Sequence, residues 1–122
     1  MRIAATAGTL LLIGSVAAAH AAAAEKFQKL GGAQIRAKVA GMEMTDDVHW
    51  ADVFERNGTL RSFSMGRKQA GKWRVQKDEL CLDQGTESGC FEVWLAGNKV
   101  ELRPKGSGLP REGVLQKPTA RQ

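Results

Sequence analysis

The sequence lacks the motifs that mark the common nucleotide-binding and repeat folds. It contains no Gly-rich phosphate-binding loop and no internal repeat within its 122 residues. It has only two cysteines and two histidines, and no proline before residue 104. A chain of this length is too short for two conventional domains. These absences exclude the usual nucleotide folds and leave one small domain.

The first 24 residues have the composition of a secretory signal peptide. Arg2 supplies a positive charge, and a mostly apolar run covers residues 3–16. Small residues at positions 19 and 21, and again at 22 and 24, offer cleavage sites. Neither a twin arginine nor a lipoprotein cysteine accompanies them. We therefore expect residues 1–24 to be a Sec-type signal peptide and the mature protein to reach the periplasm with no transmembrane segment. The alternative is an uncleaved anchor.

The cysteines agree with export, because an even cysteine count in an oxidising compartment implies a disulfide. Cys81 and Cys90 form the only possible pair, and their spacing is not the C-x-x-C of redox proteins. One histidine remains after cleavage, which is too few ligands for a zinc site. We predict a structural Cys81–Cys90 bridge, with no metal and no cofactor.

The mature chain has the pattern of a short helix followed by a β-meander. Residues 32–40 show amphipathic helical spacing, and Gly41 suits a helix C-cap. Beyond them the period changes to two, and Asn57-Gly58 is a strong hairpin signal. Predicted strands cover residues 50–55, 59–65, 72–77, 79–82, 90–96 and 99–103.

These elements predict a mainly β (α+β) domain over residues 25–103. A short N-terminal helix would pack on an antiparallel meander of five to seven strands, with a partial barrel as one form of that meander. Alternation places Cys81 and Cys90 on the same outer face of one hairpin, where a bridge is geometrically possible. Trp94 falls on that face too. Either the helix or the cystine covers it, or it is an exposed anchor for a partner.

All three prolines lie between residues 104 and 122. This segment also contains several glycines and shows no hydrophobic periodicity. We expect it to be a flexible basic tail.

The charge is segregated along the chain. From residue 103 there are five basic residues and one acidic residue, whereas residues 25–102 carry twelve of each. Residues 56–77 contain seven bases and no acid. The candidate surface for an anionic ligand comprises Arg61, Arg67, Lys68, Lys72 and Arg74, with Trp94 as a further contact. The alternative is a sheet face that compensates its own charges across strands. Export and the neutral core argue against nucleic acid.

One cluster resembles catalytic chemistry. His49 lies near Asp46, Asp47 and Asp52, and a histidine with carboxylates can act as a general base or bind a divalent cation. Short acidic loops are also ordinary structural features, and Ser62 and Ser64 lack a nucleophile-elbow pattern. No catalytic residue is assigned, and the protein is not expected to be an enzyme.

Short segments along the chain carry a family resemblance, namely Leu30-Gly31-Gly32-Ala33-Gln34-Ile35-Arg36, Asn57-Gly58-Thr59, Gly71-Lys72-Trp73-Arg74-Val75, Leu80-Cys81-Leu82, Cys90-Phe91-Glu92-Val93 and Val100-Glu101-Leu102. With them the sequence resembles a group of small exported bacterial proteins of unknown function. That resemblance covers residues 30–102 and implies a periplasmic antiparallel sheet with a disulfide. A more distant likeness is to small periplasmic β-barrel protease inhibitors, which also combine G-x-W with a disulfide. The predicted strands are too few for that barrel.

We therefore expect a non-enzymatic periplasmic binding or accessory module. Its partner would be a periplasmic protein or an anionic component of the cell envelope. The alternatives are a protease-inhibitor-like protein, and a hydrolase or metal-dependent activity around His49.

Overall fold

The computed structural model describes residues 3–5, 8–11, 13–14, 26–85 and 87–120. The cleavage sites and most of the predicted signal peptide lie outside these residues. No helix within the described part is long and apolar enough to cross a membrane. The elements are β1 (Gln28–Lys29), α1 (Gly32–Val39), β2 (Glu43–Thr45), β3 (Trp50–Phe54), β4 (Thr59–Ser64), β5 (Arg67–Gln76), β6 (Glu79–Gln84), β7 (Glu87–Ala96), β8 (Lys99–Pro104) and β9 (Arg111–Gln116).

The strands form a closed antiparallel barrel. Each strand from β2 to β9 pairs with the next along the chain, and β9 then pairs with β2, so eight strands close without a free edge. The two residues of β1 pair with Leu95 and Trp94 near the end of β7. The first half of β7 pairs with β6 along the same edge, so β1 extends the barrel wall beyond β6. The mainly β class, the short helix and the disulfide are confirmed.

The predicted count of five to seven strands is wrong, because the described residues alone form nine. The short β1 and β2 carry no alternating pattern, and β9 lies within the segment where a flexible tail is expected. That strand follows two prolines, and its only adjacent apolar residues are Val114 and Leu115. Its sequence therefore lacks the alternation that predicts a strand. It forms because β2 and β8 both offer it a hydrogen-bonding edge.

The helix closes one end of the barrel. Ile35 and Val39 are fully buried in the core. The Gly32 N–H donates a hydrogen bond of 2.8 Å to the Asp78 side chain in the β5–β6 turn. A Cβ at Gly32 would collide with the Lys77 carbonyl, so only glycine permits this approach. The β5–β6 turn therefore fixes where the helix starts.

The barrel interior has an apolar half and a polar half. Near the helix, inward positions carry buried side chains such as Phe54, Leu60 and Leu82. Two residues farther from the helix on the same three strands, the inward positions carry buried Asp52, Ser62 and Gln84. Strand alternation keeps both sets on the inner face. The sequence thus fills one end with a hydrophobic core and leaves a polar mouth at the other.

The predicted Cys81–Cys90 disulfide is present, and the two residues are direct neighbours across β6 and β7. Because their sequence separation is 9, replacing both by alanine is expected to lower the free energy of unfolding by about 2–3 kcal/mol on the chain-entropy model. Urea unfolding followed by circular dichroism measures this loss. Wild-type protein kept in reductant is the control and should lose a similar amount. A double variant as stable as the oxidised protein would contradict the prediction.

Candidate functional site

A cavity of about 570 Å³ opens at the barrel end opposite α1. Its volume lies within the range of small-molecule sites. Polar side chains dominate its lining, which comprises Asp52, Ser62, Phe63, Ser64, Met65, Arg67, Gln69, Gln84 and Arg111. We call this cavity the barrel mouth.

An ion pair lies in the wall of the barrel mouth. The Asp52 side chain is only 2% exposed, and its Oδ2 lies 3.2 Å from Nη1 of Arg111. The Arg111 guanidinium also stacks over the Trp50 ring, 3.8 Å from its centroid. A Cβ at Gly113 would lie 3.1 Å from that ring and 2.8 Å from the Thr45 carbonyl oxygen, so glycine makes room for the indole. The guanidinium is therefore held by a carboxylate and an aromatic face.

Amide side chains cross-link the same wall. The Gln84 side chain donates a hydrogen bond to the Ser62 hydroxyl. The Gln69 side chain donates one of 2.8 Å to the Gln84 carbonyl oxygen. These contacts fix polar groups in the cavity wall before any ligand arrives, which lowers the ordering cost of binding.

Arg67 stands at the rim, as the first residue of β5. It shares the inward alternation of Gln69 and Trp73, and its side chain lines the cavity. It is exposed and forms no ion pair with any residue in the described part of the chain.

The predicted anionic-ligand surface divides between the two sides of the barrel wall. Arg67 lines the mouth, whereas Lys68, Lys72 and Arg74 point outward from the same strand. Arg61 also points outward and pairs with Glu55. These last four positions stay a candidate outer surface.

Cross-strand charge compensation on this outer surface is limited. Lys72 lies opposite Asp83 in register, yet the two form no ion pair. Among the outward bases of β4 and β5 within the described residues, only Arg61 has an ion-pair partner.

Trp94 lies on the outer face, as the alternation predicts, and is half-buried. Arg103 stacks over its ring at 3.9 Å, and its indole N–H donates a hydrogen bond of 3.3 Å to Glu92. Lys29 of β1 lies 2.8 Å from Glu92; this hydrogen bond is the main cause that lowers the pKa of Glu92, and it raises the pKa of Lys29. Neighbouring strands therefore cover part of the ring, while the helix packs into the core.

The structure separates the predicted acidic cluster. Asp46 Oδ1 accepts hydrogen bonds from the backbone N–H groups of Val48, His49 and Trp50, and its Oδ2 lies 2.8 Å from Nδ1 of His49. Asp52 instead points into the barrel. No group of three or more potential metal ligands occurs among the described residues. Asp46 thus organises the β2–β3 loop, and His49, whose side chain is 65% exposed, contacts one carboxylate.

The Asp46 loop should loosen in acid. Partial desolvation favours the neutral acid, but the hydrogen bonds from Trp50, His49 and Val48 outweigh it and hold the pKa of Asp46 well below its usual 3.8. A lowered pKa stabilises the loop above that usual value, and this support is lost as the pH falls further. The amide NMR signals of Val48, His49 and Trp50 should therefore stay constant as the pH falls through 4 and shift only in stronger acid.

The control for this titration is Asp46→Asn, which keeps an acceptor oxygen but carries no titratable carboxyl. Its loop amides should not respond to acid over the same range. Loop signals of the wild-type protein that already titrate near the usual aspartate pKa of about 4 would contradict the assigned role.

Sequence reasoning missed most of the barrel mouth. Ser62 and Gln84 follow Leu60 and Leu82 at the next inward positions, so extending the alternation would have placed them inside. Arg111 gave no such signal, because it lies in a segment rich in proline and glycine.

Comparison of the chain with protein-family models, curated proteins and solved structures finds no match.

Proposed function

We propose that the protein is a non-enzymatic binding module of the cell envelope that takes a small molecule into the barrel mouth. The observation that carries this proposal is the Asp52–Arg111 pair in the wall of a 570 Å³ cavity. Replacing a buried ion pair by apolar side chains is often neutral or stabilising, so stability alone gives little reason to keep one. Polar groups already fixed around an open cavity are what ligand recognition requires.

A bulky side chain placed in the barrel mouth tests this proposal. Ser64 lines the cavity, so Ser64→Trp should fill it, whereas the matched Ala70→Trp adds the same side chain to the exposed outer face of β5. A small-molecule library is screened by thermal shift on the wild-type protein, and each hit is repeated on both variants. Hits should disappear in Ser64→Trp and persist in Ala70→Trp. A screen without hits would contradict binding in the mouth, and so would hits that still stabilise Ser64→Trp.

Periplasmic location is part of the proposal, and the N-terminal residues and the disulfide support it. Mass spectrometry of the protein expressed with its full N-terminus measures the mature mass. Cleavage at one of the two small-residue sites should give a chain that begins at residue 22 or 25. Retention of Met1 would contradict export by a cleaved signal.

Protease inhibition is the second candidate function. The predicted strands were too few for an inhibitor barrel, whereas eight strands of the described chain close into one. Assays against serine, cysteine and metalloproteases at equimolar protein test it. Tight inhibition that Ser64→Trp leaves unchanged would favour this candidate over binding in the mouth.

A further inference from the structure

We propose that the barrel mouth selects small organic acids, and that Arg67 binds their carboxylate or phosphate group. This inference rests on the proposed function and names the class of ligand. It follows from three properties of the mouth: its charge balance, the distribution of its hydrogen-bond donors and acceptors, and the apolar side chain at its rim.

The charge balance of the mouth is positive. Its lining holds one carboxylate, Asp52, and two guanidinium groups, Arg67 and Arg111. Asp52 and Arg111 neutralise each other at 3.2 Å, which leaves the positive charge of Arg67. A guanidinium presents a planar set of N–H donors that matches a carboxylate or phosphate.

Two acceptors of the mouth already have a partner, whereas the Arg67 guanidinium forms no ion pair within the described residues. The Asp52 carboxylate lies against Arg111, and the Ser62 hydroxyl accepts a hydrogen bond from Gln84. A cationic ligand would therefore find no carboxylate in the lining without breaking a buried pair. An anionic ligand would meet Arg67 and the Ser64 hydroxyl, which both line the cavity.

The rim supplies an apolar contact for the rest of the ligand. Met65 lines the cavity and is 77% exposed in the β4–β5 turn. Methionine is flexible and adapts to differently shaped apolar groups. The fitting ligand is thus a small acid that carries an alkyl or aryl portion.

Arg67 lies on the inner face of the barrel wall, whereas the neighbouring bases lie on its outer face. Lys68, the next residue, faces outward with Lys72 and Arg74. If an anion bound only through the overall positive charge of β5, the outer bases would contribute as much as Arg67. Binding inside the mouth instead depends on Arg67 alone. This alternation provides a matched pair of variants, Arg67→Gln and Lys68→Gln, which each remove one positive charge.

Isothermal titration of the mature protein with hexanoate, hexyl phosphate, hexanol and hexylammonium tests the ligand class. The two acids should bind, and comparing them shows whether the carboxylate or the phosphate is preferred. Hexanol and hexylammonium should bind at least about tenfold more weakly. Because a charge-assisted hydrogen bond contributes about 1.5–3 kcal/mol, Arg67→Gln should weaken binding of the acids by about tenfold or more, and Lys68→Gln should leave it almost unchanged.

Other outcomes overturn the inference in distinguishable ways. If hexanol or hexylammonium binds as well as the acids and Ser64→Trp abolishes that binding, the mouth is a binding site but not one for acids. If Arg67→Gln and Lys68→Gln weaken binding equally, the outer face carries the interaction. If neither these probes nor the library binds in the mouth, both the ligand class and the proposed function fail.

Discussion

Replacing Phe54 by alanine is expected to lower the free energy of unfolding by about 3–5 kcal/mol. Phe54 is fully buried at the apolar end of the barrel, and its ring meets that of Trp73 edge to face with centroids 5.8 Å apart. The substitution would remove this contact and leave a cavity between the barrel strands and α1. The free energy of unfolding of a small domain is only about 5–15 kcal/mol, so this loss is a large share of it.

Urea unfolding followed by circular dichroism measures the loss at Phe54. The matched control is Phe63→Ala on the neighbouring strand β4, where the side chain is half-buried. This control should lose about 1 kcal/mol, near the centre of the distribution for point variants. Equal losses at the two positions would show that the core does not centre on Phe54.

Replacing Arg111 by methionine should lower the free energy of unfolding by about 2–3 kcal/mol. The change would leave the Asp52 carboxylate, which is only 2% exposed, without its guanidinium partner. Breaking a fully buried pair costs about 3–5 kcal/mol, and we expect less here because 35% of the Arg111 side chain is exposed.

Arg103 provides a close control for Arg111. It too is 35% exposed, stacks over a tryptophan and pairs with a carboxylate, that of Glu101, but it lies on the outer face. Arg103→Met should cost less than about 1 kcal/mol, because Glu101 is 15% exposed and water can solvate its carboxylate, whereas Asp52 is 2% exposed. Thermal and urea unfolding compare the two variants. A loss at Arg103 as large as that at Arg111 would show that the inner pair has no special energetic role.

Local sequence signals predicted the elements whose contacts are close along the chain. The Asn57-Gly58 hairpin, the alternation around Trp73 and the position of the disulfide all depend on residues near one another. Barrel closure instead pairs β2 with β9, which are joined at Glu43 and Gln116. No short-range pattern encodes such a pairing, and β9 follows a proline-containing connection that concealed it.

The barrel mouth was missed for a different reason. Gln69 and Gln84 lie outside the predicted strands 72–77 and 79–82, and Ser62 was considered only as a nucleophile. In a closed barrel the inward alternation continues past the apolar core, so these side chains stay inside. Arg67 was selected as one of five bases on a common surface, because the strand was predicted to begin at Lys72. The strand in fact begins at Arg67, which places this side chain on the inner face.

Two-dimensional NMR of the mature protein titrated with hexanoate tests binding in the mouth most directly. The predicted result is a set of shift changes at the Trp50 indole and at the amides of Asp52, Ser62 and Gln84, with the Trp94 indole unchanged on the outer face. Changes confined to Lys68, Lys72 and Arg74, or no changes at saturating ligand, would contradict a binding site inside the barrel.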